Sequence, residues 1–364
     1  MRAYLHPVAL AQSPQAVEGS AIRLGGSMVW ANMLRLDCWD GDTLAYRAVI
    51  VADTFNNDTL ADVPKAAREQ VQRQYANLQE AHAPIALQQR TLRFDQPQIM
   101  GILNVTPDSF SDGGEHDTPH QAVDAGFAMT SHGAAMVDIG GESTRPNAQT
   151  VWEGDEIARI EPVVQQLVAS GTIISIDTRN AAVMEAALAA GAALVNDISA
   201  LLYDHRSIEV ILKADCPVVL MHAPSQGDDP HENDKGYSDV VRDVFDWLAE
   251  RIDAVAAAGV KREKIIIDPG LGFGKSLGDN LALLNALPLF HALGQPLLVG
   301  ASRKRMIGAL SNEEPTDQRL PGSLALALHA MNSGTHILRV HDVPETLQAM
   351  RVWRGLRDSA LTSF

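Results

Sequence analysis

From Ile99 onward, eight short apolar runs recur along the chain, and nearly every one ends in a residue that can hydrogen-bond, ionise or bind a metal. The runs are IMGILN ending at Asn104, AAMVD at Asp138, TIISID at Asp177, ALVN at Asn196, CPVVLMH at His222, KIIID at Asp268, PLLVGAS at Ser302, and ILRVH, which carries Arg339 and His341. Ala-rich segments of helical period, such as AVDAGFAMTSHG and RNAAVMEAALAAG, lie between them. Short β-branched runs alternating with amphipathic helices make βαβ units, whose parallel strands are buried on both faces and so are apolar throughout. Eight such units predict an α/β fold, a (β/α)8 TIM barrel. In that fold the active site lies at the C-terminal ends of the strands, where these polar residues fall. A doubly wound open sheet is the alternative.

A barrel needs about 250 residues, so a chain of 364 has room for one small extra domain. The division falls near residue 95: an N-terminal α+β extension over 1–95, then a barrel over 96–364. Before the division, AIRLGGSMVW, NMLRLDCW and LAYRAVIVA read as short strands, and VPKAAREQVQRQYANLQEAH reads as a helix. The extension has no catalytic motif, and Trp30, Trp39 and Tyr46 are expected in its core. The longest helix candidate, YSDVVRDVFDWLAERIDAVAAAG, carries an apolar stripe of Val240, Val241, Val244, Trp247, Leu248 and Ile252 that would pack on the barrel. A net charge of −16 opposes a polyanion-binding surface, so no nucleic acid is expected as partner and an anionic ligand must be met by a few local cations. Cys38 and Cys216 are far apart and are expected as buried, reduced thiols. No run reaches the ~18 apolar residues of a membrane span, and the N-terminus has no continuous apolar stretch of the secretory kind. A cytoplasmic protein without membrane contact is expected.

The loop after the first run, NVTPDSFSDGG, is turn-rich and suited to a mobile lid. At its start Asn104 offers a neutral carbonyl oxygen. That suits a Mg²⁺ ion already supplied with phosphate oxygens, because Mg²⁺ takes few protein ligands beside substrate and water. The second loop, GGESTRPNA, adds the hydroxyl of Thr144 and the guanidinium of Arg145, both fit for phosphate contact. GLGFGKS resembles a phosphate-binding loop, but Pro269 stands where GxxxxGK[ST] requires Gly, so it reads as the loop after the sixth strand. GxSxG, CxxC and HExxH are absent, and no transition metal is expected at the histidines of HAPSQGDDPHEND.

Taken in order, IMGILNVTPDSFSDGG, VDIGGESTRP, SIDT, LVNDIS, LMH, IIIDPGLGFGKS, GASRK and ILRVHDV resemble the motif series of the dihydropteroate synthase family, over residues 97 to 356. The resemblance implies a folate-pathway barrel that joins para-aminobenzoate to 6-hydroxymethyl-7,8-dihydropterin pyrophosphate with release of pyrophosphate. It also implies a homodimer and sulfonamide sensitivity. A carboxylate at Asp268 would accept two parallel hydrogen bonds from the pterin edge, with Asn196 on the adjoining edge, Lys304 on the carbonyl oxygen and ring nitrogen, and Met221 on the ring face. Charge-assisted bonds of this kind contribute about 1.5–3 kcal/mol each. Asp177 would stabilise positive charge spreading into the pterin as the C–O bond breaks. Arg339 and His341, as cations beside Mg²⁺ at Asn104, would meet the departing pyrophosphate. The neutral aniline nitrogen needs no nucleophilic side chain. The resemblance further implies that Phe110, Pro146 and Phe273 wall the aminobenzoate ring, while the helix after Lys304 receives its carboxylate. Two departures from common family forms are Arg305, where Ser is frequent, and Asn147, where Gly is frequent. Arg305 would either salt-bridge that carboxylate or point to solvent. Asp138 and His222 are left as structural supports. A methyltetrahydrofolate-binding methyltransferase barrel and a catalytically silent pterin-binding protein are the competing readings. Fusion to a pyrophosphokinase is disfavoured by the short, motif-free first 95 residues.

Overall fold

The computed structural model describes residues 1–11, 20–88, 90–106, 118–143 and 150–359. The chain opens with an antiparallel sheet of β1 (Arg2–Ala11), β2 (Ile22–Arg23), β3 (Trp30–Asp40) and β4 (Thr43–Val51), in which β3 is the hub pairing the other three. After a short helix, α1 (Asn57–Ala61), comes α2 (Arg68–Gln79), which begins later than the sequence suggests because Pro64 introduces a 3-10 turn first. Helix α2 covers the outer edge of β1. Gln70 and Gln74 accept from the backbone N–H groups of Ala3 and Leu5 at 2.9 and 2.8 Å, and Gln74 donates to the Ala3 carbonyl at 2.7 Å. Side-chain amides thus take the place of a missing strand and blunt an edge open to other chains. Cys38 is buried and free, as is Cys216. Trp39 and Tyr46 pack on the core from its margin rather than within it, and Trp30 lies under the Arg23 guanidinium.

Next comes a two-stranded hairpin, β5 (Ile85–Leu87) and β6 (Arg90–Leu92), and then the barrel. Its strands are β7 (Gln98–Asn104), β8 (Met136–Gly140), β9 (Ile174–Asp177), β10 (Leu194–Asp197), β11 (Val218–Met221), β12 (Ile265–Asp268), β13 (Leu298–Val299) and β14 (Ile337–Val340). The helices between them are α3 (Thr118–His132), α4 (Glu153–Ala169), α5 (Ala181–Ala189), α6 (Ser207–Ala214), α7 (Val240–Ala257), α8 (Leu277–Asn285), α9 (Arg305–Leu310) and α10 (Leu320–Asn332), and α11 (Val343–Ser359) follows the last strand. All eight strands are parallel and neighbours in chain order, β14 lies beside β7, and a parallel bridge from Ile267 to Leu297 links β12 to the start of β13. That closure rules out the open sheet. Helix α7 presents Val240, Val244, Leu248 and Ile252 to the core as expected, with Val241 and Trp247 at the stripe's edge; the Asp239 carboxylate caps its first turn.

Side chains alternating along the strands fill the barrel. The lowest layer is apolar: Met100, Met136, Ile173, Leu194, Val219, Ile266, Leu298 and Ile337. Ile85, Leu87, Leu92 and Phe94 belong to this same cluster, so the β5–β6 hairpin is the barrel's floor. The β5–β6 hairpin, which a division near residue 95 assigns to the extension, thus packs against the barrel's interior.

The extension docks on the barrel through a shared apolar core and part-buried polar contacts, including Tyr4 Oη to Asp246 (2.8 Å), Asn77 Nδ2 to the Ala292 carbonyl (2.9 Å) and Arg357 Nη1 to the Met28 carbonyl (2.7 Å). At the junction, His82, His291 and His336 surround Gly25, whose φ of +53° and close neighbours leave no room for a side chain. His336 Nδ1 accepts from the Leu297 N–H and its Nε2 donates to the Gly25 carbonyl, both at 3.0 Å, so this ring is neutral. Burial lowers all three imidazoles, His82 to about 3 and His291 to about 4. A folded-state pKa below the unfolded value means that protons bind preferentially to the unfolded chain. Stability is then complete above the ordinary imidazole value of ~6.5 and falls as pH drops toward ~4. Urea unfolding at about pH 7.5 and 4.5 should show this loss, and His82→Phe should flatten it; an unaltered slope in the variant would place the acid sensitivity elsewhere.

Candidate active site

Strand register sets one polar level across the barrel mouth. Asn104 pairs with Gly140, Gly140 with Asp177, and Asp177 with Asn196. On the far side Met221 pairs with Asp268. Gly140 keeps this level open: a Cβ there would lie 3.6 Å from the Asp177 side chain and 3.7 Å from Asn104 Oδ1. Beyond Asn196 the chain must turn sharply. The buried Asp197 carboxylate holds the turn by accepting from the N–H groups of Ser199 and Leu201, while Ala200 and Leu201 take left-handed conformations.

One layer below, Arg339 rises from β14. Its Nε donates to Asp138 at 2.6 Å and its Nη2 to Asp177 at 2.5 Å. Asp138 also accepts from Asn196 Nδ2 (3.0 Å) and Ser175 Oγ (2.5 Å) and is fully buried. The expectation for Asp138 is corrected in one respect: it sits in the middle of β8, not at its end, and from there it supports two groups of the site, Arg339 and Asn196. The sequence does hold a signal, because Asp138 shares an inward face with Met136 two residues earlier, and a buried inward carboxylate requires partners. Asp177 Oδ1 is buried and has no hydrogen-bond partner among the described residues. Burial pushes the Asp177 carboxyl upward; Arg339 opposes that shift and Asp138 adds to it.

Across the mouth, Asp268 Oδ1 accepts from the Gly270 N–H at 2.7 Å. Burial raises this carboxyl, and the Gly270 bond and the Lys304 charge oppose the shift. Lys304 Nζ donates to the Leu271 carbonyl at 2.5 Å and stands 4.5 Å from the Phe273 ring centre. Burial lowers its pKa to about 8. Met221 and Phe273 belong to a small apolar cluster with Ile198 and Ala223, which gives the mouth one non-polar wall. His231, which sequence reasoning set aside, stacks on Phe273 with ring centres 4.8 Å apart.

His341 departs from expectation. Its Nδ1 is 3.1 Å from Ser302 Oγ, and burial, reinforced by Arg303 and Arg339, lowers the ring to about 4. Without a bound anion it is therefore uncharged at neutral pH. Arg305 is exposed at the start of α9, consistent with its solvent-pointing alternative. Phe110, Thr144, Arg145, Pro146 and Asn147 lie outside the described residues. Among the described residues no three His, Cys, Asp or Glu side chains are grouped to hold a metal, and no helix is long and apolar enough to cross a membrane.

Known proteins resemble the chain over its barrel. Residues 100–341 match the family described as pterin binding enzyme, which leaves the N-terminal sheet outside the match. The chain is 44% identical over 263 residues to the dihydropteroate synthase of Escherichia coli K12, covering 72% of this chain and 92% of that one. The structure of Xanthomonas albilineans dihydropteroate synthase with 4-aminobenzoic acid superposes with a TM-score of 0.72 at 44% identity, over 76% of this chain and 98% of that chain. The structure of the same enzyme in complex with 7,8-dihydropteroate gives 0.69 at 42% identity, over 75% and 98%.

Proposed function

The chain belongs to the dihydropteroate synthase family of pterin-binding enzymes and joins 6-hydroxymethyl-7,8-dihydropterin pyrophosphate to para-aminobenzoate, and from that premise we propose how its barrel mouth divides the work. The observation that carries the proposal is the buried triad of Asp138, Arg339 and Asp177, with Asp177 Oδ1 unpaired among the described residues. With both carboxylates ionised the triad carries one net negative charge. The dihydropterin becomes electron-poor as its methylene C–O bond breaks, and a fixed anion beside it lowers that barrier. The aniline nitrogen then forms the new C–N bond, pyrophosphate departs with the bonding electrons, and the extra proton on nitrogen passes to solvent.

Binding falls to the other groups. Asp268 and Asn196 read the pterin edge, and Met221 lies against its face. Lys304 leaves the Leu271 carbonyl to donate to the ring. Phe273 walls the aminobenzoate. Arg339 has its Nε and one Nη committed to carboxylates, so its outer N–H groups and the neutral His341 offer the pyrophosphate hydrogen bonds more than charge. Asp177→Asn keeps the shape and removes the anion. We expect kcat to fall about a hundredfold while affinity for the pterin pyrophosphate changes by less than about threefold in single-turnover and binding measurements. Equal losses in both would count against the transition-state role. Because the Asp177 pKa is raised and the ionised form is the active one, the acid limb of kcat should lie above the ordinary aspartate range.

The donor set fits a resident Mg²⁺: Asn104 would supply a neutral oxygen at the level beside Gly140, and, with no three-ligand group among the described residues, substrate oxygens and water would supply the rest. When bound, the ion would neutralise pyrophosphate charge. Chelation should weaken binding of the pterin pyrophosphate, seen by calorimetry, and Asn104→Ala should raise the Mg²⁺ concentration needed to restore it. Equal affinity with and without Mg²⁺ would remove the ion from the site. The same reading places the enzyme in the cytoplasm as a homodimer inhibited by sulfonamides in competition with aminobenzoate; sedimentation and inhibition kinetics test the last two.

A further inference from the structure

The glycine-rich run after β12 ends in a lysine that the scheme above does not use. Lys275 Nζ points beneath its own loop, donating to the carbonyls of Gly270 (2.9 Å), Phe273 (3.1 Å) and His222 (3.3 Å), and lies 3.0 Å from His222 Nδ1. None of these four acceptors is a carboxylate. Burial pushes the ammonium down to about 7, against the pull of Asp268. A lysine kept for surface charge alone would stand in water instead.

Its acceptors join the ends of two strands. His222 N–H donates to the Asp268 carbonyl at 3.0 Å, and Gly270 N–H to the Asp268 carboxylate at 2.7 Å. Gly270 has a φ of +69°, and a Cβ there would fall 1.9 Å from the His222 carbonyl oxygen, so only glycine lets the two loops cross at this point. Asn233 Nδ2 adds an outer tie to the Gly274 carbonyl at 2.8 Å. We propose that Lys275 is a positioning residue for the condensation: its ammonium holds the 269–274 turn in the shape that aims the Gly270 N–H at Asp268 and sets Phe273 beside Lys304. This rests on the assignment of Asp268 to the pterin and Phe273 to the aminobenzoate.

The test uses Lys275→Met and Lys275→Gln in the full chain, with binding of the pterin pyrophosphate, KM for aminobenzoate, kcat and melting temperature measured together. Loss of about one hydrogen bond's worth at each contact predicts, for Lys275→Met, roughly tenfold weaker pterin binding and a roughly tenfold higher aminobenzoate KM, with kcat at saturation within about threefold of the parent. Lys275→Gln, which keeps two donors, should fall between and carries the test if the Met variant does not fold. Parental affinities for both substrates would overturn the proposal. So would losses spread evenly over kcat and both affinities with a lowered melting temperature, the mark of general loosening. Asp268→Asn and Phe273→Ala run alongside as controls: if either leaves its own substrate's affinity unchanged, that assignment fails and Lys275 is judged on the other arm.

Discussion

Replacing Arg339 by methionine should cost about 3–5 kcal/mol of folding stability, the usual penalty for removing one partner of a buried ion pair, and lower kcat/KM on the order of a thousandfold. Asp138 and Asp177 both face this one guanidinium, and Asp138 is completely buried. Without it, the two carboxylates lose the cation between them and keep only the Lys304 charge acting on Asp177, so one takes up a proton to remain there. The triad would then lose its fixed charge pattern, and Asn196, held by Asp138 at 3.0 Å, would lose its orientation as well. The sign of the pH effect is specific. A carboxyl raised in the folded state binds its proton preferentially there, so the variant's stability deficit should shrink as pH falls from about 8 to 5. Denaturation curves at several pH values check this. A deficit that is constant or grows toward acid would show that the two carboxylates are not what Arg339 neutralises.

Asp268→Asn should weaken binding of the pterin pyrophosphate about a hundredfold. An asparagine can keep the 2.7 Å bond from the Gly270 N–H, so the loop need not move. What it cannot do is accept two hydrogen bonds in parallel, because its amide presents one acceptor and one donor. One charge-assisted bond is lost and one donor is turned against a donor. At about 1.5–3 kcal/mol per bond this amounts to roughly two powers of ten. Equilibrium titration with the substrate alone, without aminobenzoate, isolates the effect. Unchanged affinity would release Asp268 from the ring edge and assign it to the loop only.

Much of the barrel was legible because parallel strands buried on both faces are written as pure apolar runs, and the residue ending each run changes character abruptly. Asp177 and Asp268 are the last residues of β9 and β12, as their runs suggest. The same rule misled at Asp138. The run was ended at its first polar residue, whereas Ile139 and Gly140 continue the strand and put the carboxylate inside it. The charge of His341 was illegible for a different reason. Imidazole titrates near neutrality, so its state depends on burial and on Arg303, which only the fold brings beside it, together with Arg339 two residues earlier in its own run. The hairpin was misplaced because IALQQRTLRF is too short and too polar to announce that Ile85, Leu87, Leu92 and Phe94 share one face.

That hairpin also limits how the chain can be shortened. Each of these four side chains, on being buried, contributes about 1.5–3 kcal/mol at most, and all four press upward against Met100, Met136 and their neighbours. A catalytic unit begun at Gln96 would expose the underside of the cylinder to water and set loose the layer on which Asp138 and Arg339 stand. A shortened catalytic unit should therefore begin upstream of Ile85, with its stopper attached, and one begun at Gln96 should melt at a lower temperature.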